Sequence, residues 1–168
     1  EEFKITLMPL FIKALSLAIN EFPILNSRAN SEFTELTYLA SHNIGMAVDG
    51  KTGLLVPNIK NVQQLRLLDV AREVNRLTEA ARSGVINPAD LAGGSITISN
   101  IGVIGGTAAM PIINKPEVAI VALGKIQKLP RFDANNNIVS RSILTVSWSG
   151  DHRVIDGGTI GRFNKLWK

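Results

Sequence analysis

The histidine at position 152 lies in a short polar segment that directly follows an alternating, strand-like run at residues 143–149. Rigid scaffolds commonly present reactive groups where a strand ends and the backbone turns. An imidazole, with a pKa of about 6.5, is suited to act as a general base at neutral pH. Asp156 and Arg153 follow closely enough to fix the local fold through an ion pair or hydrogen bonds. The alternative is a solvated turn without catalytic function, and the segment alone leaves both interpretations open.

A second loop, at residues 99–107, combines three glycines with the hydroxyl of Ser99 and the amide of Asn100. Glycine permits close backbone approach or a positive φ. Hydroxyl and amide groups at the mouth of such a loop are suited to stabilising a developing oxyanion. A flexible glycine turn is the alternative, so the two loops have to be considered together.

Composition excludes several classes of site. The 168 residues include no cysteine, which rules out disulfides, iron–sulfur clusters, zinc ribbons and a thiol nucleophile, and fits a reducing compartment. No dinucleotide-binding, Walker A or zinc-protease motif is present, and the other histidine, His42, is predicted to be structural. The longest apolar stretch, residues 7–19, is interrupted by Lys13 and falls short of the roughly 20 residues that a bilayer span needs. We therefore predict no metal site and no membrane segment.

The net charge of +4 is unevenly distributed, because residues 125–168 hold eight Lys or Arg against three Asp. These charges are spaced singly and no aromatic-rich basic helix accompanies them, so the pattern does not indicate nucleic-acid binding. An anionic small molecule remains compatible with the basic excess.

Hydrophobic periodicity predicts the elements that position these loops. A buried helix is expected over residues 10–22, and an amphipathic helix over 69–82, with Asp69 as its cap and Gly84 closing its end. A hairpin is expected around the turn at residues 49–53. Strand-like runs cover residues 33–39, 43–48, 54–59, 95–99, 118–126 and 143–149. This order predicts one α+β domain, a mixed β-sheet with helices on one side.

Seven short segments stand out as landmarks along the chain. They are Phe22-Pro23-Ile24-Leu25-Asn26, Ser41-His42-Asn43-Ile44-Gly45, Gly53-Leu54-Leu55-Val56-Pro57, Asp90-Leu91-Ala92-Gly93-Gly94, Thr97-Ile98-Ser99-Asn100-Ile101-Gly102, Pro116-Glu117-Val118-Ala119-Ile120 and Ser149-Gly150-Asp151-His152-Arg153-Val154-Ile155-Asp156-Gly157. Together, along the whole chain and in family order, they resemble the catalytic domains of dihydrolipoamide acyltransferases from 2-oxoacid dehydrogenase complexes. Residues 42–45, 105–107 and 146–149 most resemble the branched-chain members.

The resemblance implies a fold similar to chloramphenicol acetyltransferase and a reaction that moves an acyl group between dihydrolipoamide and coenzyme A. His152 would be the base that deprotonates a thiol, and Ser99 would donate to the oxyanion. Asp156 would either relay charge or hold the loop through an arginine such as Arg153, and we favour the structural role. Direct attack of one thiol on the other thioester needs no covalent enzyme intermediate, which agrees with the lack of cysteine.

Coenzyme A would bind along the same face. The residues that the resemblance assigns to it are Thr6, Asp49, Asn100, Val103, Ile104, Gly124 and Ile126. No metal ligand is implied.

The resemblance also implies a larger assembly. Subunits would form homotrimers with the active site at a subunit interface, and trimers would build a cubic or dodecahedral core. Residues 1–168 would be a partial catalytic domain that lacks the N-terminal start and the C-terminal tail of the family domain. The lipoyl and subunit-binding domains, through which the dehydrogenase and dihydrolipoamide dehydrogenase components attach, would also be absent. The expected location is prokaryotic cytoplasm or the mitochondrial matrix.

Two other functions remain open at the level of sequence. One is another acyltransferase with the same H-x-x-x-D-G signature, such as an antibiotic acetyltransferase or a peptide-synthetase condensation domain. The other is an assembly scaffold that has lost catalysis.

Overall fold

A computed structural model describes residues 6–51 and 53–168, so Thr52 in the predicted hairpin turn lies outside the described residues. The helices and strands, in chain order, are α1 (Met8–Glu21), β1 (Ser27–Ala29), β2 (Leu36–Tyr38), β3 (Ile44–Met46), β4 (Val48–Gly50), β5 (Gly53–Leu55), β6 (Asn58–Ile59), α2 (Leu67–Ser83), α3 (Pro88–Leu91), β7 (Ile96–Asn100), β8 (Ala119–Leu123), β9 (Gln127–Phe132), β10 (Ile138–Ile143), β11 (Val146–Gly150) and α4 (Gly157–Trp167). Short 3₁₀ turns cover Pro23–Asn26, Val62–Gln64 and Ile101–Ile104.

The predicted mixed sheet is confirmed. Five strands pair in the order β11-β8-β7-β3-β6. The central strands β3, β7 and β8 run parallel, and β6 and β11 pair antiparallel at the two edges. The separate hairpins β1–β2, β4–β5 and β9–β10 complete the strand pairings of the described chain.

The two faces of the sheet differ in chemistry because side chains alternate along each strand. Ile98 and its neighbour Val121 belong to the hydrophobic core that also contains the buried residues of α1, α2 and α4. Thr97 and Ser99 point to the opposite face, where Ser99 pairs with Ala122 on β8. This second face carries the polar side chains of the candidate site.

Helices α1 and α2 form where the sequence predicts them, with differences at their ends. On α1 the fully buried Ile12, Leu15 and Ile19 recur at helical spacing. Helix α2 ends at Gly84, whose φ of 79° is the left-handed conformation predicted for a C-cap. The prediction that Asp69 caps α2 is wrong: the helix begins earlier, at Leu67, and Asp69 lies in its first turn.

Helix α4 is anchored by an aromatic cluster. The ring of Trp148 on β11 packs edge-on against Phe163 at 5.4 Å and Trp167 at 5.6 Å between centroids. The indole nitrogen of Trp167 donates to the carbonyl of Phe11 on α1 at 3.1 Å. The cluster therefore fixes the strand that leads into His152 and the helix that follows it.

The strand predictions were too coarse near the C-terminus. The predicted hairpin around residues 49–53 is confirmed by the pairing of β4 with β5. The runs predicted at residues 118–126 and 143–149 instead contain β8 and β11, and a long hairpin, β9–β10, lies between them. Residues 133–137 form the turn of this hairpin, where the Asp133 carboxylate accepts hydrogen bonds from the backbone N–H groups of Asn135 and Asn137.

None of the helices in the described part of the chain is long and apolar enough to cross a bilayer.

Candidate active site

The strand β7 and the glycine loop after it place Ser99 and Asn100 at one end of the sheet. Ser99 is half-buried, and the Asn100 carboxamide oxygen accepts the Gly102 N–H at 3.1 Å, which closes the first turn of the loop. A Cβ at Gly102 would lie 2.6 Å from the carbonyl oxygen of Gly124, so this position requires glycine for close backbone approach.

A cavity of about 780 Å³ opens beside this loop. It gathers six of the seven side chains and backbone positions predicted for coenzyme A: Thr6, Asp49, Asn100, Val103, Gly124 and Ile126. Ile104, the seventh, does not line the cavity, and its side chain is 80% exposed. Residues from distant parts of the chain thus form one continuous wall.

Helix α2 supplies a wall of the cavity that sequence reasoning missed. Asn75, Thr78 and Arg82 line it, together with Lys125 from the segment after β8. Asn75, Thr78 and Arg82 are spaced by three and four residues along α2, so they lie on one face of the helix. This spacing is visible in the sequence. The basic excess noted over residues 125–168 includes Lys125 but does not single it out as a residue of the cavity wall.

The charges on this wall are unevenly balanced. Elsewhere on α2, Arg72 pairs with Asp69, and Arg76 pairs with both Glu73 and Asp90. In the described chain neither Arg82 nor Lys125 forms an ion pair, and Asp49 is the acidic residue among the lining residues. The cavity therefore offers two cations to an anionic ligand.

The turn after β11 presents His152 with an exposed side chain. The Asp151 N–H donates to the Val118 carbonyl at 2.8 Å and extends the strand ladder by one residue. The Arg153 guanidinium then forms a two-pronged pair with the Asp151 carboxylate at 2.9 and 2.7 Å. This pair spans His152, and the Arg153 guanidinium lowers the pKa of Asp151.

Asp156 has a different partner from the one predicted. Because Arg153 pairs with Asp151, the expectation that Arg153 holds Asp156 is wrong. The Asp156 carboxylate accepts the Thr159 N–H at 2.6 Å and caps the N-terminus of α4. Hydrogen bonds from Thr159 lower the pKa of Asp156, with smaller contributions from Arg162 and His152. In this structure Asp156 connects the histidine turn to a packed helix.

Ser99 and His152 lie at opposite ends of the sheet. Ser99 pairs with Ala122, which pairs with Ser147, so Ser99 lies two strands from β11. Asp151 lies four residues beyond Ser147, in the direction of the Val118 level. With strands about 4.8 Å apart and a rise of about 3.3 Å per residue, the backbones of Ser99 and Asp151 are about 16 Å apart. One copy of the chain does not bring the two side chains together.

The polar face of the sheet also holds a buried carboxyl that sequence reasoning named only as part of a landmark. Glu117 is 5% exposed, and burial raises its pKa to about 7. The Thr97 hydroxyl donates to it at 2.6 Å, and the Asn114 amide donates at 3.4 Å. Arg28 contributes a nearby positive charge, and its Nε has no hydrogen-bond partner within the described chain.

His42 lies in the interior, as the structural interpretation predicts. Its side chain is 6% exposed, and its Nδ1 lies 2.8 Å from the Ser16 hydroxyl of α1. Burial lowers the pKa of His42, which favours the neutral ring. Among the residues that the structure describes, no cluster of acidic side chains and histidines is arranged to hold a metal ion.

Comparison with known proteins identifies the class of domain that this fold and these loops form. The family model for the catalytic domain of 2-oxoacid dehydrogenase acyltransferases matches residues 1–168. The chain belongs to this family.

The curated relatives place it further. The chain is 53% identical over 165 residues to the lipoamide acyltransferase component of the branched-chain alpha-keto acid dehydrogenase complex from Mus musculus, a mitochondrial protein. It is 40% identical over 156 residues to the acetyltransferase component of the pyruvate dehydrogenase complex from Bacillus subtilis. These alignments cover 98% and 93% of this chain, but only 34% and 35% of the relatives, so the chain spans about a third of their length.

Solved structures also match members of this family. The cubic core of a pyruvate dehydrogenase multienzyme complex matches with a TM-score of 0.93 and 41% identity, over 98% of this chain and 68% of that one. A dihydrolipoamide acetyltransferase from Azotobacter vinelandii, studied for the catalytic roles of a serine, a histidine and an asparagine, matches equally well. Chloramphenicol acetyltransferase matches at a TM-score of 0.60 and 14% identity, over 96% of this chain and 76% of that one, which shows the shared fold.

Proposed function

We propose that this chain transfers an acyl group, of the branched-chain type, between the thiol of dihydrolipoamide and coenzyme A. The observation that carries the proposal is the 53% identity, across 98% of the chain, to a branched-chain lipoamide acyltransferase component. The acetyltransferase relatives described above are less similar, at 40% and 41% identity. The cavity that gathers six predicted coenzyme A residues supports the same reaction.

His152 acts as the base in this proposal. A thiol has a pKa of about 8.5 and is mostly protonated at neutral pH, so a neighbouring imidazole supplies the thiolate. The thiolate attacks the thioester carbonyl, and the tetrahedral oxyanion accepts a hydrogen bond from the Ser99 hydroxyl. Collapse expels the second thiolate, which takes the proton back from the imidazolium. Base and donor each contribute a factor of about 10² or more in rate.

The residue spacing supports these roles. In the Azotobacter vinelandii enzyme the serine and histidine named for catalysis are 52 positions apart, and the asparagine follows the histidine by four. Here Ser99 precedes His152 by 53 positions, and Asp156 follows His152 by four. Asp156 takes the position of the asparagine. We assign it a positioning role, because its carboxylate caps α4 and holds the turn.

The backbones of Ser99 and of Asp151, the residue before His152, are about 16 Å apart, which supports a site shared between two copies of the chain. We propose that His152 of one subunit works with Ser99 of its neighbour, in a homotrimer that is the unit of a larger core. A relative forms a cubic core, which supports an assembly of this kind. Each trimer would then carry three composite sites.

Coenzyme A would bind in the cavity on the Ser99 side. Arg82 and Lys125, which no carboxylate of the described chain pairs with, are suited to its phosphates, and the apolar wall is suited to the pantetheine arm. The lipoyl group would arrive from the His152 side, carried on a separate domain. The dehydrogenase and dihydrolipoamide dehydrogenase components would associate through other domains of the protein, in a prokaryotic cytoplasm or a mitochondrial matrix.

The test is transfer from acetyl, isobutyryl, isovaleryl and succinyl coenzyme A to dihydrolipoamide by the assembled protein. We expect the highest kcat/KM for isobutyryl and isovaleryl substrates, and a loss of at least 10²-fold in His152→Ala. A preference for acetyl or succinyl substrates would contradict the branched-chain assignment. No transfer by a properly assembled parent protein would contradict the enzyme function itself and leave a scaffold.

A further inference from the structure

A loop at residues 30–35 joins β1 to β2 and holds an aromatic residue in an unusual conformation. Phe33 has a φ of 55°, a left-handed value that is rare for a bulky side chain. The Asn30 side chain stabilises the loop, because its oxygen accepts the N–H groups of Thr34 and Glu35 and its amide donates to the Thr34 hydroxyl. The Phe33 N–H donates to the Asn30 carbonyl. The loop therefore presents the Phe33 ring in a fixed direction.

The ring lies against the histidine turn. The Arg153 guanidinium carbon lies 3.5 Å from the centroid of the Phe33 ring, which is cation–π geometry. Phe33 is 41% exposed and does not belong to the hydrophobic core. The same guanidinium donates the two hydrogen bonds to the Asp151 carboxylate. Phe33 thus lies over the Arg153 guanidinium while Asp151 pairs with the guanidinium edge, and His152 lies between Asp151 and Arg153 in sequence.

The geometry points to Phe33 as a positioning residue for His152: its ring holds the Arg153–Asp151 pair that sets the shape of the histidine turn. This inference rests on the proposed function. An exposed ion pair alone orders two long side chains only weakly. An aromatic face on the guanidinium restricts Arg153 to the plane from which its fork reaches Asp151. Strained backbone conformations are common next to reactive groups, where the surrounding contacts hold them in place.

The contact between Phe33 and Arg153 lies at the His152 end of the sheet, whereas the cavity proposed for coenzyme A lies at the Ser99 end. Loss of the ring should therefore reduce turnover without changing coenzyme A binding. Misplacement of a base by a fraction of an ångström lowers rate strongly, because proton transfer depends on geometry. We expect Phe33→Ala to lower kcat about fivefold while the KM for coenzyme A changes less than twofold.

The test compares three variants in the longest form of the protein that carries this domain, in its assembled state. Phe33→Tyr keeps the aromatic face and should retain most of kcat. Phe33→Leu keeps apolar bulk without a π face and should behave like Phe33→Ala. Tyr38→Ala removes another exposed aromatic ring, on β2, and serves as the matched control with unchanged kinetics. Thermal unfolding of each variant is measured alongside.

A kcat for Phe33→Ala within twofold of the parent would overturn the inference, as would full activity of Phe33→Leu. Parallel losses in kcat, coenzyme A KM and melting temperature would also overturn it, because they indicate a general structural role. An inactive parent protein would instead contradict the proposed function, so the two failures are distinguishable.

Discussion

Replacement of Glu117 by glutamine should change stability in a pH-dependent way. Glu117 is buried beneath the polar face of the sheet, and desolvation outweighs the hydrogen bonds from Thr97 and Asn114 and the charge of Arg28. Its pKa is therefore raised from 4.5 to about 7 in the folded protein. The unfolded chain loses this proton near its ordinary pKa, whereas the folded chain keeps it to higher pH. The stabilising contribution of the neutral form is complete below about pH 4.5 and is lost as pH rises through about 7.

The size of the effect follows from the shift. A difference of about 2.5 pKa units at about 1.36 kcal/mol each corresponds to about 3 kcal/mol at alkaline pH. Glutamine has a similar shape and does not ionise, so Glu117→Gln should match the parent near pH 4.5 and exceed it by up to about 3 kcal/mol at pH 8.5. The assay is denaturant unfolding at fixed protein concentration at both pH values. An equal difference between variant and parent at the two pH values would refute the reasoning.

Four further substitutions test the site. Arg82→Gln and Lys125→Gln should each raise the KM for coenzyme A about three- to tenfold, and the effect should weaken at high salt. The KM for pantetheine should stay unchanged because pantetheine lacks phosphates. Steady-state kinetics with both thiols test this, and an equal rise in the KM for pantetheine would contradict the phosphate assignment. Asp156→Ala should lower the melting temperature by a few degrees and reduce kcat, and Asp156→Asn should restore most of both because asparagine also caps helices. If Asp156→Asn were as inactive as Asp156→Ala while melting like the parent, the carboxylate would be acting as a charge relay.

Local patterns predicted the core elements because those patterns are properties of single segments. The apolar spacing on α1 and α2 and the glycine at the end of α2 could be read directly, and the structure agrees. The β9–β10 hairpin could not, because its strands are largely exposed and lack a buried face to produce a clear alternation. The partner of Arg153 was also misassigned, since Asp151 and Asp156 are both within reach in sequence and only the turn geometry distinguishes them.

The candidate site was predictable in part for a different reason. Six cavity residues were named from family resemblance rather than from local physics. The α2 wall was missed because contact between a helix face and a distant strand end depends on tertiary packing. The separation of Ser99 from His152 likewise follows only from the strand register. The register places their strands two apart and the two residues at opposite ends of the sheet. Sequence motifs predicted the reacting groups, and the register supports the proposal that they act across two copies.

The most direct test of this composite site is complementation between two inactive chains. Ser99→Ala and His152→Ala chains, with different tags, are co-expressed in equal amounts, and mixed assemblies are purified for acyl transfer. If each site pairs Ser99 of one subunit with His152 of its neighbour, about a quarter of the sites stay intact in a randomly mixed core of many trimers and about a third in isolated trimers that carry both tags, so we predict about a quarter to a third of parent activity. Assemblies of either variant alone, mixed after purification, are the control. Mixed assemblies no more active than this control would contradict the claim that two copies of the chain form the active site.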